Sequence, residues 1–119
     1  MAAGLLLALV ASCQLPKVCT EIGCDDQLRI QLLGSIPDSV RVSAQEPGGA
    51  SRVVDCTPTR CLDGMVTLSG FLPESVTIEV HGQGVDVTRT VRPEYQWFYP
   101  NGTSCPGKCR QATVEIQVR

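Results

Sequence analysis

From residue 27 onward, apolar and polar residues alternate along much of the chain. Leu28, Ile30 and Leu32 alternate with Arg29 and Gln31, and Val40, Val42 and Ala44 with Arg41, Ser43 and Gln45. Val76, Ile78 and Val80 alternate with Thr77, Glu79 and His81. Val85, Val87 and Val91 share a face with Arg89, opposite Asp86, Thr88 and Thr90. Ala112, Val114, Ile116 and Val118 alternate with Thr113, Glu115 and Gln117. Two weaker runs, over 51–56 and around Val66 and Leu68, bring the total to seven. A period of two with one apolar face is the signature of strands that are buried on one side and wet on the other.

The punctuation fits strands. Pro37-Asp38, Pro47-Gly48-Gly49, Asp63-Gly64, Leu72-Pro73 and Asn101-Gly102 separate the runs, and Gly82-Gln83-Gly84 reads as a hairpin turn. No stretch carries a helical period. Seven short strands with turns between them predict an all-β fold, a seven-stranded antiparallel β-sandwich of immunoglobulin-like or transthyretin-like type. The Cys, Trp, Cys pattern of true immunoglobulin domains is absent.

Composition sharpens this picture in two places. The formal charge of −2 is mild and the ten basic residues are scattered, which argues against nucleic acid as a partner. The seven cysteines are more informative. Cys13 stands alone after an apolar run, while the others form close couples: Cys19 with Cys24, Cys56 with Cys61, Cys105 with Cys109. Setting Cys13 apart leaves an even number that can all be oxidised, so an exported domain stabilised by disulfides is expected.

Six cysteines allow about fifteen connectivities. In one, each couple closes on itself. In another, Cys56 bonds Cys61 while Cys19 and Cys24 cross to Cys105 and Cys109. Cys24 precedes the first strand and Cys109 the last, so if those strands are neighbours a cross-link pins both ends of the domain. At least one such long bridge is therefore expected. The spacings CxxxxC and CxxxC are not zinc knuckles, and no CxxC redox pair exists, so no metal and no cofactor are expected.

The first twelve residues, MAAGLLLALVAS, are too few to span a bilayer and suit the apolar core of a secretory leader. Leu9-Val10-Ala11-Ser12-Cys13 resembles the lipobox of bacterial lipoproteins, with Val10 where Leu is commoner. That resemblance implies cleavage before Cys13, a diacylglyceryl group on its sulfur, and a membrane anchor. It divides the chain into a leader at 1–12, a lipidated cysteine and tether at 13–24, and a sandwich domain at 25–119. Gln14 in place of Asp implies, by the same resemblance, the outer membrane of a bacterial envelope. The alternative is plain secretion with Cys13 as a spare thiol.

Four of the five aromatic residues fall between Tyr95 and Tyr99. In an extended chain Tyr95, Trp97 and Tyr99 line one face and Phe98 the other. An exposed row of this kind can stack sugar rings or dock a peptide; a buried one fills a core short of large side chains, with a Tyr hydroxyl capping a turn. Residues 93–119, with Tyr99-Pro100-Asn101-Gly102, Cys105, Cys109-Arg110-Gln111-Ala112 and Val114, are similar to a motif of small exported proteins of myxobacteria and their relatives. This likeness implies architecture and export but no activity.

The remaining chemistry-bearing residues are sparse. His81 is the only histidine and lies on a polar strand face. Ser35, Ser39, Ser43 and Ser69 lack a G-x-S-x-G elbow. Asp25, Asp26 and Asp63 lack EF-hand spacing, and adjacent acids at 25 and 26 read as a strand cap. Asn101-Gly102-Thr103 is a glycosylation sequon that in a bacterium reads as a turn. The expected protein is thus a non-enzymatic envelope lipoprotein with a structural or binding role and an envelope protein or polysaccharide as partner. The alternatives are a secreted carbohydrate- or peptide-binding module, or a protease-inhibitor-like domain presenting a clamped loop such as 105–109.

Overall fold

The computed structural model describes residues 18–118; the expected leader, Cys13 and residues 14–17 lie outside them. The described residues hold eight strands: β1 (Gln27–Leu33), β2 (Val40–Gln45), β3 (Ser51–Cys56), β4 (Met65–Ser69), β5 (Val76–Gly82), β6 (Val85–Val91), β7 (Gln96–Phe98) and β8 (Cys109–Gln117). They form two four-stranded sheets, in the orders β4-β1-β8-β7 and β3-β2-β5-β6. The inward side chains of both sheets meet in one core, which makes the fold a sandwich-like all-β domain.

Two expectations are corrected. The strand count is eight rather than seven, because β7 forms at the aromatic segment. The sandwich is not wholly antiparallel either, because β1 and β8 pair in parallel from Gln27 with Gln111 to Leu33 with Gln117. The reason is topological. The first and last strands run the same way because residues 34–108 leave β1 at one end and return to β8 at the other.

The core follows the alternation. Leu28, Ile30 and Leu32 of β1 are almost fully buried, as are Val66 and Leu68 of β4 and Ile116 of β8. Facing them are Val40, Val42 and Ala44 of β2 and Val76, Ile78 and Val80 of β5. Each fully buried aliphatic side chain contributes about 1.5–3 kcal/mol relative to exposure. Phe71 is the only aromatic residue among the buried core residues, and branched aliphatics fill the rest.

The Gly82-Gln83-Gly84-Val85 hairpin shows why glycine is needed there. Gln83 and Gly84 have φ of 41° and 80°, the pairing of positive angles that a two-residue type I′ loop requires. Gly82 has φ of 147°, and a Cβ there would lie 2.7 Å from the Ser39 carbonyl oxygen. The hairpin therefore packs its backbone against the chain entering β2, at Ser39 and Val40.

Candidate functional site

At the end of the sandwich where β1 and β8 begin, the entering chain is fastened. Cys19 bonds Cys105 and Cys24 bonds Cys109, while Cys56 bonds Cys61 within its own loop. Neither long bridge stands alone. The Asn101 side chain accepts from Thr20 Oγ1 at 2.6 Å and from the Ile22 amide at 2.8 Å, and its Nδ2 donates to the Ile22 carbonyl at 2.9 Å. Asn101 thus pairs with Ile22 as a strand neighbour would. Asp26 Oδ1 accepts from the Arg110 amide at 2.7 Å, and the Asp26 carbonyl accepts from the Gly70 amide. Asp26 is a cap on two neighbouring strands. Cys105 and Cys109 do not close on each other; the 105–109 segment is clamped at its two ends to residues 19 and 24 instead.

The aromatic segment divides. Tyr95 packs against the core, and its hydroxyl donates to the Pro73 carbonyl at 2.7 Å. Burial pushes the Tyr95 phenol up to about 12, with Arg110 opposing and Glu46 reinforcing the shift. Tyr99 is half-buried and accepts from the Gly102 amide in a turn. Trp97 is 51% exposed, but Lys108 Nζ sits 4.4 Å from its ring centroid and the Arg110 guanidinium 5.6 Å. Cation contacts of this kind contribute about 0.5–1 kcal/mol at exposed sites. Tyr95, Trp97 and Tyr99 therefore do not form one exposed row, because Tyr95 packs against the core and Tyr99 is half-buried in a turn, which leaves Trp97 as the exposed member.

The sign of the Tyr95 shift yields a first prediction. A phenol whose folded-state pKa lies above its unfolded value favours folding while it is protonated. Its contribution is complete below about pH 10 and is lost as pH rises toward about 12. Alkaline denaturation should therefore show an extra loss of stability across that window in the wild type, absent in Tyr95→Phe. Parallel alkaline profiles for the two proteins would refute the assignment.

Phe98 lies on the other face of β7. Alternation puts Gln96 and Phe98 on the outer face of the sheet, opposite Trp97. Gln96 stands beside Gln111, which stands beside Gln27, which stands beside Ser69, a continuous row across all four strands. The next row holds Thr67, Arg29 and Thr113. Just before β7, an open cleft of about 420 Å³ lies among Arg29, Glu94, Gln96, Trp97, Phe98, Gln111, Ala112 and Thr113. Arg29 Nη2 reaches Gln111 Oε1 only at 3.4 Å, and its Nε is buried with no hydrogen-bond partner among the described residues.

The other outer face carries a neutral row too, Ser51, Gln45, Thr77 and Thr90, and at its far end an ionisable one. Asp55, Arg41, His81 and Asp86 are aligned across β3, β2, β5 and β6. Arg41 Nε donates to Asp55 Oδ1 at 2.8 Å, and His81 Nδ1 lies 2.9 Å from Asp86 Oδ1. The hydrogen bond from Arg41, helped by its charge, holds the Asp55 carboxyl below the usual range. His81 is thus one member of a solvated polar row.

Sequence reasoning singled out the aromatic residues and missed Arg29, Gln96, Gln111 and Thr113. Glutamine and threonine on an outer strand face look like ordinary solvated positions. Only the register of β7 on β8, and of β8 on β1, brings them side by side. Against protein families, curated proteins and solved structures alike, the chain has no match.

Proposed function

We propose that this chain is a lipid-anchored lipoprotein of a bacterial envelope that presents a sandwich-like domain for binding rather than for catalysis. The observation that carries the reading is the fastening at residues 19–24. The chain arriving from Cys13 is bonded to Cys105 and Cys109 and stitched to Asn101 within a few residues. A domain tied so firmly at its point of entry suits a module held by a short tether. The three disulfides suit an oxidising compartment. The finer fold class we propose is transthyretin-like. Immunoglobulin domains place their first two strands in the same sheet, whereas β1 and β2 here lie in opposite sheets.

Lipidation supplies the membrane affinity in this reading. Each buried methylene contributes about 0.8 kcal/mol, and two or more acyl chains hold a protein stably on a bilayer. Cells expressing the protein and fed a clickable palmitate analogue should label the wild type, and Cys13→Ala should take up no label and leave the membrane fraction. Equal labelling of both, or no labelling of the wild type, would remove the anchor.

A further inference from the structure

We propose that Asn101 is a modification site, deamidated through a cyclic imide formed with Gly102, and that the fastened entry segment holds this reaction shut. The proposal goes beyond the binding role and does not depend on the lipid anchor.

Asn101 is the only asparagine in the chain, and glycine follows it. Asparagine is one of the thermolabile residues. The reaction needs water and no enzyme. The Gly102 amide nitrogen gives up its proton and attacks Asn101 Cγ, so a C–N bond forms. The Cγ–Nδ2 bond breaks, and the side-chain nitrogen leaves as ammonia. Water then opens the imide at either carbonyl, which gives aspartate or isoaspartate. Nothing is oxidised or reduced. A side chain on the following residue hinders the attack, and glycine has none.

The fold demands both residues. Gly102 has φ of 91°, a conformation that L side chains rarely adopt. Asn101 must accept and donate at once, which an amide does and a carboxylate does not. The reactive pair is therefore built into the turn.

The same contacts hold it inert. Asn101 Oδ1 is taken by Thr20 Oγ1 and the Ile22 amide, and Nδ2 donates to the Ile22 carbonyl and, at 3.3 Å, to that of Pro106. The attacking nitrogen is engaged as well, since the Gly102 amide donates to the Tyr99 carbonyl at 3.1 Å. These bonds must open before the nitrogen can reach Cγ. Thr20 and Ile22 lie between Cys19 and Cys24, which are bonded to Cys105 and Cys109. The rate therefore follows the fraction of molecules in which the entry segment has come away. After the reaction a carboxylate confronts two carbonyls with no N–H to offer, and isoaspartate adds a methylene to the main chain. The clasp does not re-form as it was. Reduction of the bridges, reversible in itself, becomes permanent at residue 101.

The test uses the full chain purified in detergent, incubated at neutral pH and physiological temperature. Mass spectrometry of the peptide containing residue 101 reads the acid products. The oxidised wild type should react at least about tenfold more slowly than the same chain reduced and alkylated beforehand. Cys19→Ala/Cys105→Ala keeps Cys24–Cys109 and should react faster than the oxidised wild type while still melting cooperatively. Thr20→Val keeps every bridge, loses one bond to Asn101, and should fall between the oxidised and reduced wild type; it decides the matter if the cysteine variant unfolds. Equal rates in oxidised and reduced wild type, no acid product in the reduced chain, or a Thr20→Val rate no faster than that of the oxidised wild type would overturn the proposal.

Discussion

Replacing Cys19, Cys24, Cys105 and Cys109 together by alanine is expected to leave the chain largely unfolded at physiological temperature. A disulfide restricts the unfolded ensemble in proportion to the logarithm of the loop it closes. The two bridges span 86 and 85 residues and run side by side. Either one alone closes the long loop, and the chain-entropy model assigns that closure roughly 4 to 5 kcal/mol. With one in place, the second closes only a ring of about eleven residues, for roughly 3 kcal/mol. Removing one pair should therefore cost about 3 kcal/mol, and removing the second pair should cost more than the first. The total, about 7 kcal/mol, is comparable to the whole stability of a small domain, about 5–15 kcal/mol. Losing Cys56–Cys61, with a separation of 5 residues, should cost about 2 kcal/mol. Urea unfolding of the oxidised variants measures each step. A four-alanine variant that remains folded with less than about 2 kcal/mol lost would contradict this account.

Ile30→Ala is expected to cost about 3–4 kcal/mol, the largest effect of a single substitution away from the cysteines. Ile30 is fully buried, with Val66 beside it on antiparallel β4 and Val114 on parallel β8. Hydrogen-bonded strands on both sides prevent the backbone from closing in, so most of the deleted volume remains as a cavity. For a domain of this size the melting temperature should fall by roughly 15 °C. Val53→Ala, on β3 with 59% exposure, should change stability by no more than about 0.5 kcal/mol. Similar melting curves for the two variants would mean that the core does not sit where the alternation places it.

The strands that alternate were legible because burial on one face leaves a period of two. β1, β2, β5 and β8 show it in both sequence and burial. β7 escaped because it is three residues long and all three are exposed, so no buried face exists to mark it. The parallel pairing of β1 with β8 escaped for a different reason. Alternation records which face a residue takes, not which strand it meets or in what direction. The long cross-links were anticipated among open connectivities, since they depended on β1 and β8 being neighbours. The candidate site was the least legible part. Tyr95, Trp97 and Tyr99 attracted attention by type, and of these Trp97 does line the cleft, whereas Arg29, Gln111 and Thr113 join it only through register.

The fastening also decides how the domain meets mechanical load. Gln111 is two residues beyond Cys109, which is bonded to Cys24, and Cys19 is bonded in turn to Cys105. Tension between residue 18 and the start of β8 passes through sulfur and a few peptide bonds. The hydrogen-bonded ladders of residues 27–98 lie outside that line, so the sandwich can be tugged at between these two points without being unzipped.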